Sequence, residues 1–138
     1  MSYLLDTNIV SETIRKQPNS HVIEWLRLID NKDIYISVLT LGEIRKGVEK
    51  LDKNEKRDKI LIWLENDLYQ WFQGRILNID YKVADKWGFL LSQHPSPLPA
   101  IDALIAATAL THNLKLVTRN VKDFQFTGLE LINPFISK

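Results

Sequence analysis

Four carboxylates sit where a folded chain could bring them together: Asp6, Glu43, Asp102 and Asp123. Asp6 ends the apolar run "YLL" and is followed by Thr7 and Asn8. Glu43 lies in "SVLTLGEIRKGVEKL", after the apolar run "IYISV". Asp123 closes "VTRNVKDF", after "LKLVT". Asp102 stands apart. In "PAIDALIAATALTHN" it is the only formally charged residue between Lys86 and Lys115. A helix apolar nearly all round is a buried helix. A bare carboxylate on it is costly unless paired or bound to a metal. No basic residue in that helix can pair with it. Its place in the first turn after Pro99 contributes only ~0.3–1 kcal/mol through the helix dipole, which explains tolerance of the charge and not a need for it.

Each acid also has a plain structural reading. Asp6 suits a helix N-cap. Glu43 fits an ordinary helix surface, although Gly47, one turn on, costs ~1 kcal/mol relative to alanine and leaves room on that side. Asn120 and Asp123 are common turn residues. Taken together they point elsewhere. Four carboxylates converging on one edge repel each other and raise one another's pKa. A divalent cation with a preference for oxygen resolves that repulsion. Without His or Cys in the set, Mg²⁺ or Mn²⁺ is the suitable ion. One or two such ions polarise a phosphoryl oxygen and generate a hydroxide-like nucleophile.

The elements that must position these acids alternate strand and helix. "YLL" is strand one, and Thr7 or Asn8 caps a helix expected to reach about Lys16, before Pro18. Ser20 is expected to cap a second helix with the stripe Val22, Ile23, Leu26 and Ile29. Residues 34–38 are strand two, 40–51 a helix, and 55–72 a long amphipathic helix. "RILNI" is strand three, 80–93 helical, and 100–112 the apolar helix that carries Asp102. "LKLVT" is strand four and "LELI" a possible fifth. "HPSPLPA" is a rigid loop rather than a boundary. Short apolar strands separated by helices argue for a parallel sheet covered on both faces. Ligands in such folds bind beyond the carboxyl ends of the strands, where Asp6, Glu43 and Asp123 are expected.

In this order and over essentially the whole chain, "LLDTNIVSE", "ISVLTLGEIRKGV", "PAIDALIAATAL" and "LVTRNVKDF" resemble the motifs of PIN-domain ribonucleases, and among them the VapC-type toxins of toxin–antitoxin pairs. The resemblance implies a single PIN-like domain over residues 1–138, a three-layer α/β/α fold with a central parallel sheet of four to five strands. It implies a Mg²⁺-dependent endoribonuclease, with Mn²⁺ able to substitute. Asp6, Glu43, Asp102 and Asp123 would be its catalytic and metal-binding acids. Thr7, Asn8, Thr118 and Asn120 would hydrogen-bond those carboxylates. Some family members carry an acid where this chain has Asn120. The implied partners are an RNA substrate such as transfer RNA, a cognate antitoxin, operator DNA reached only through that antitoxin, and a second copy of the chain.

Composition is compatible with this. The chain has 138 residues, no cysteine and a net charge of +1, so disulfides and thiolate metal sites are excluded. Affinity for nucleic acid must come from local patches. Arg15, Lys16 and Arg119 are the expected phosphate contacts. The basic residues from Arg45 to Lys59 alternate with acids, as a solvated helix does. Trp25, Trp63, Trp71 and Trp87 lie in amphipathic helices and are expected to pack rather than stack on bases. The apolar residues of the helix over 55–72 suggest a homodimer. No membrane span or signal peptide is expected, so the location read from sequence is the cytoplasm. Two other readings are available. An aspartyl-phosphate phosphatase also places an acid after strand one, but has a second Asp where this chain has Asn8. A catalytically silent RNA- or antitoxin-binding module would have no need of the full set of acids.

Overall fold

Strand alternation sends successive side chains to opposite faces of a sheet, and the first strand shows what that achieves here. The computed structural model describes residues 1–136. In β1 (Tyr3–Leu5), Leu5 joins one core and Leu4 a second core on the other face. β2 (Ile34–Ser37) does the same, with Ile34 and Ile36 in the first core and Tyr35 against the second. β3 (Ile76–Leu77), β4 (Lys115–Val117) and β5 (Leu131–Ile132) complete a five-stranded sheet in the order β3-β2-β1-β4-β5. Every pairing is parallel. This is the expected α/β/α arrangement, with the fifth strand present.

The helices that cover the sheet follow from capping and apolar spacing. α1 (Thr7–Glu12) is capped by Asp6 itself, not by Thr7 or Asn8, and stops before the expected Lys16. Its buried Glu12 reaches forward instead and accepts from Asn19 N at 2.8 Å, fastening the turn. α2 (Ser20–Leu28) is capped by Asn19, one residue earlier than expected, whose Oδ1 accepts from His21 N and Val22 N. α3 (Val38–Glu49) begins directly after β2, with Ser37 accepting from Leu39 N. α6 (Tyr81–Ser92) is capped by Asp80, and α7 (Ala100–Thr111) packs along it.

The expected helix over residues 55–72 is interrupted. α4 (Glu55–Ile62) widens into a π turn over Trp63–Asp67 before α5 (Leu68–Trp71). Asn66 Nδ2 donates to Ile62 O at 3.0 Å within that turn. Leu64, Leu68 and Phe72 are buried, and Ile60, Leu61, Trp63 and Trp71 pack against the same core. The apolar surface that suggested a dimer is therefore mostly the protein's own interior. Ile62 and Tyr69 are its exposed remainder. All four tryptophans pack against the two cores, as expected. Of the basic residues from Arg45 to Lys59, the two arginines pair at the surface: Arg45 with Glu49 and Glu65, and Arg57 with Glu49. No helix among the described residues is long and apolar enough to cross a membrane.

Candidate active site

The strand order creates the site. The chain moves from β1 outward through β2 to β3, then returns to place β4 on the other side of β1. The crevice between the ends of β1 and β4 is the topological switch point, where ligands bind in open parallel sheets. Asp6 leaves β1 there, and Thr118 leaves β4. Asp6 N donates to Val117 O at 2.9 Å, and Thr118 N to Ile132 O at 2.9 Å, so the three strand ends are tied together.

Asp6 is buried, with 7% of its surface exposed. Its Oδ1 accepts from Thr7 N at 2.8 Å. Its Oδ2 accepts from the Thr118 hydroxyl at 2.8 Å and from Asn8 Nδ2 at 3.2 Å. Burial pushes the Asp6 carboxyl above its ordinary value, and the nearby Glu43 charge adds to the rise. The bonds from Thr118, Thr7 and Asn8 act against it. The plain reading of Asp6 as a cap and the chemical one describe the same carboxylate.

Glu43 reaches the crevice from α3. Its Oε1 accepts from the Thr7 hydroxyl at 2.6 Å, and Thr7 Oγ1 also lies 3.0 Å from Thr40 Oγ1. Thr40 is fully buried and was not anticipated from sequence. Its signal was its spacing: residues three apart on a helix share a face, so Thr40 and Glu43 both meet α1. A Cβ at Gly47 would touch nothing within 4 Å, so that glycine is not required to make room.

Asp102 enters from the first turn of α7 and is half-buried. The residue at the N-cap of α7 is Pro99, which provides no side-chain cap. Proline has no N–H, so the reciprocal bond an acid at Asp102 makes in a capping box cannot form. Among the described residues the Asp102 carboxylate has no hydrogen-bond partner and no ion-pair partner. Burial raises its pKa first, followed by the charges of Asp6 and Asp123. Asp123 is exposed at the end of a short 3-10 turn over Val121–Asp123. The four acids thus form one electrostatic chain: Glu43 acts on Asp6, and Asp6 and Asp123 act on Asp102.

Asn8 and Thr118 both bond Asp6 of this chain. Asn120 contributes through its main chain, donating from N to Thr118 Oγ1 at 3.0 Å. Arg119 N donates to Asn8 Oδ1 at 3.2 Å, which places Arg119 at the rim. Arg15 and Lys16 are not brought there. They follow the far end of α1 and line a separate surface groove of about 560 Å³ with Lys56 and Leu51. Arg15 pairs with Glu12 at 3.6 Å.

None of the four acids forms an ion pair among the described residues. Nor are three or more Asp, Glu or His side chains among those residues gathered closely enough to hold a metal ion between them. The donor set is all oxygen, anionic and uncompensated. Mg²⁺ keeps several of its waters and needs only one or two carboxylates plus a substrate phosphate. Asp6 and Asp102, two carboxylates close enough for the charge of one to act on the other, fit that requirement.

Comparison with known proteins bears on the family and the fold. A family model described as PIN domain matches residues 3–126. Toxin FitB of Neisseria gonorrhoeae is 37% identical over 135 residues, covering 96% of this chain and 97% of that protein. Ribonuclease VapC2 of Rickettsia felis is 34% identical over 129 residues, covering 91% of each chain. A solved structure of FitAB bound to an IR36 DNA fragment superposes with a TM-score of 0.89 at 34% identity, covering 99% of this chain and 97% of that one.

Proposed function

The chain belongs to the PIN-domain family, and from that premise we propose that it is a Mg²⁺-dependent endoribonuclease, the toxin of a type II toxin–antitoxin pair. The observation that carries the reading is the set of four acids, none with a cationic partner among the described residues, at the switch point of a parallel sheet.

Asp6 and Asp102 would hold the ion, with Glu43 and Asp123 completing the site. Bound there, Mg²⁺ or Mn²⁺ supplies Lewis acidity toward a phosphoryl oxygen and lowers the pKa of a water. The chain supplies the rest. Thr118, Asn8 and the Thr7 N–H fix the Asp6 carboxylate in one orientation. The Thr7 hydroxyl fixes Glu43. Glu43 and Asp123 would position the attacking water and accept its proton at a carboxylate oxygen. Hydrolysis of one phosphodiester bond of a structured RNA, such as a transfer RNA, is the reaction this arrangement suits.

The relatives named as toxins, and the FitAB structure with its DNA, support a cognate antitoxin as the controlling partner. We assign operator DNA to the antitoxin and a second copy of the chain to the toxin assembly. The test is cleavage of total transfer RNA by the purified protein with Mg²⁺, with Mn²⁺ and with EDTA. Cleavage with either ion and none with EDTA is expected. Undiminished cleavage after the metal is stripped rejects the mechanism.

A further inference from the structure

We propose that Arg119 is a phosphate-binding residue for the RNA strand entering the acid site, held ready by the ring of Phe135. This rests on the ribonuclease reading and names a substrate contact within it.

The evidence is how the chain uses its arginines. Arg15, Arg27, Arg45 and Arg57 each pair with a glutamate. Arg75 donates to the main-chain carbonyls of Asn31, Ile34 and Trp71. Only Arg119, among the described residues, has a guanidinium with no acceptor, although its main chain adjoins Thr118 and Asn8, which both bond Asp6. Its five N–H donors remain available as a fork that matches a phosphate.

The fork is exposed but anchored. Arg119 follows Thr118, whose hydroxyl bonds Asp6. Its N–H is held by Asn8 Oδ1 at 3.2 Å, and its carbonyl accepts from Asn133 Nδ2 at 3.4 Å. Its Cζ lies 4.8 Å from the centroid of the Phe135 ring. Phe135 is itself fixed: it packs against the first core, and its N–H donates to Asn133 Oδ1 at 3.0 Å. An aromatic face attracts a guanidinium through its quadrupole and leaves the edge donors free. The cation is thereby held on the Phe135 ring, on a residue whose main chain is bonded to Asn8, without an acidic partner among the described residues. A polyanion approaching four carboxylates needs such a compensating charge.

The test is fluorescence-anisotropy binding of a short fluorescein-labelled single-stranded RNA across a salt series, with Ca²⁺ in the buffer. Arg119→Gln should weaken binding about tenfold, as loss of a charge-assisted contact does, and flatten the log–log salt slope by about 0.7, as loss of one single-strand phosphate contact does. Arg119→Lys should fall between. Phe135→Leu should weaken binding in the same direction, and Phe135→Tyr, which keeps the ring face, should restore it. Thermal melts check that each variant is folded. An Arg119→Gln protein with the parent's affinity and slope overturns the proposal. So does weaker binding with an unchanged slope, which marks a structural role, or a parent with no measurable affinity for RNA. A parent that binds this RNA but leaves total transfer RNA intact in Mg²⁺ contradicts the ribonuclease reading alone, and the binding ratios still decide the role of Arg119.

Discussion

The Thr118 hydroxyl donates to Asp6 Oδ2 at 2.8 Å across a sequence separation of 112 residues. One bond closes β1 against β4 and orients the most buried of the four acids. It is also the strongest influence holding that carboxyl down against the rise that burial imposes.

Thr118→Val keeps the shape and removes the bond. It leaves Asn120 N without its acceptor and Asp6 with one donor fewer. Stability at neutral pH should fall by about 1–3 kcal/mol, as when buried polar groups lose their partners. The Asp6 carboxyl should rise further, moving the acidic limb of the pH–rate profile to higher pH. Thr118→Ser should behave as the parent. Urea melts and a pH–rate series check both effects. An unmoved acidic limb would separate this bond from catalysis.

Thr7→Val removes the 2.6 Å bond to Glu43 while leaving the main-chain N–H on Asp6 intact. Partners that orient site ligands are typically worth about 10–100-fold in activity. RNA cleavage should therefore drop by about that factor with little change in melting temperature. Thr7→Ser should retain most activity. Cleavage by Thr7→Val at the parent rate would remove Glu43 from the working site.

How much of this was legible before folding depended on the kind of signal. Asp102 was visible because a single charge on an otherwise apolar helix is anomalous by composition alone. Asp6 was visible because an acid ended an apolar strand. Thr40 was not, because a threonine on a helix looks ordinary until α1 is laid across it. Arg15 and Lys16 looked close to Asp6 in sequence. A rise of about 1.5 Å per residue in a helix carries them to its far end. The alternation of strands and helices was readable, but the order β3-β2-β1-β4-β5 was not, since pairing between distant strands leaves no local trace. The π turn at Trp63–Asp67 was hidden for the opposite reason: it preserves the apolar stripe through Leu64 and Leu68 that predicted an unbroken helix.

Both Asp6 and Asp102 have raised pKa values in the fold. A raised carboxyl binds its proton more tightly when folded, so stability falls as pH rises from the ordinary value of 3.8 through the folded value. Below 3.8 the contribution is fully present. Other carboxylates titrate in the same range, so the measurable quantity is a difference. In EDTA, the parent should lose more stability than Asp102→Asn as pH increases across that window. Parallel pH–stability curves for the two proteins would contradict the burial and the repulsion assigned to Asp102.

The central claim is that Asp102 is a working metal ligand and not a helix-terminal charge, and one paired measurement tests it most directly. RNA cleavage by the parent and by Asp102→Asn is followed in excess Mg²⁺, with thermal melts of both proteins in EDTA and in Mg²⁺. The account predicts that cleavage falls steeply and that the metal-free variant melts at or above the parent's temperature. The stabilisation that Mg²⁺ gives by binding the folded state should shrink in the variant. An Asp102→Asn protein that cuts RNA at close to the parent rate, or that is merely destabilised by about 1 kcal/mol as loss of a helix-dipole charge would cause, contradicts it.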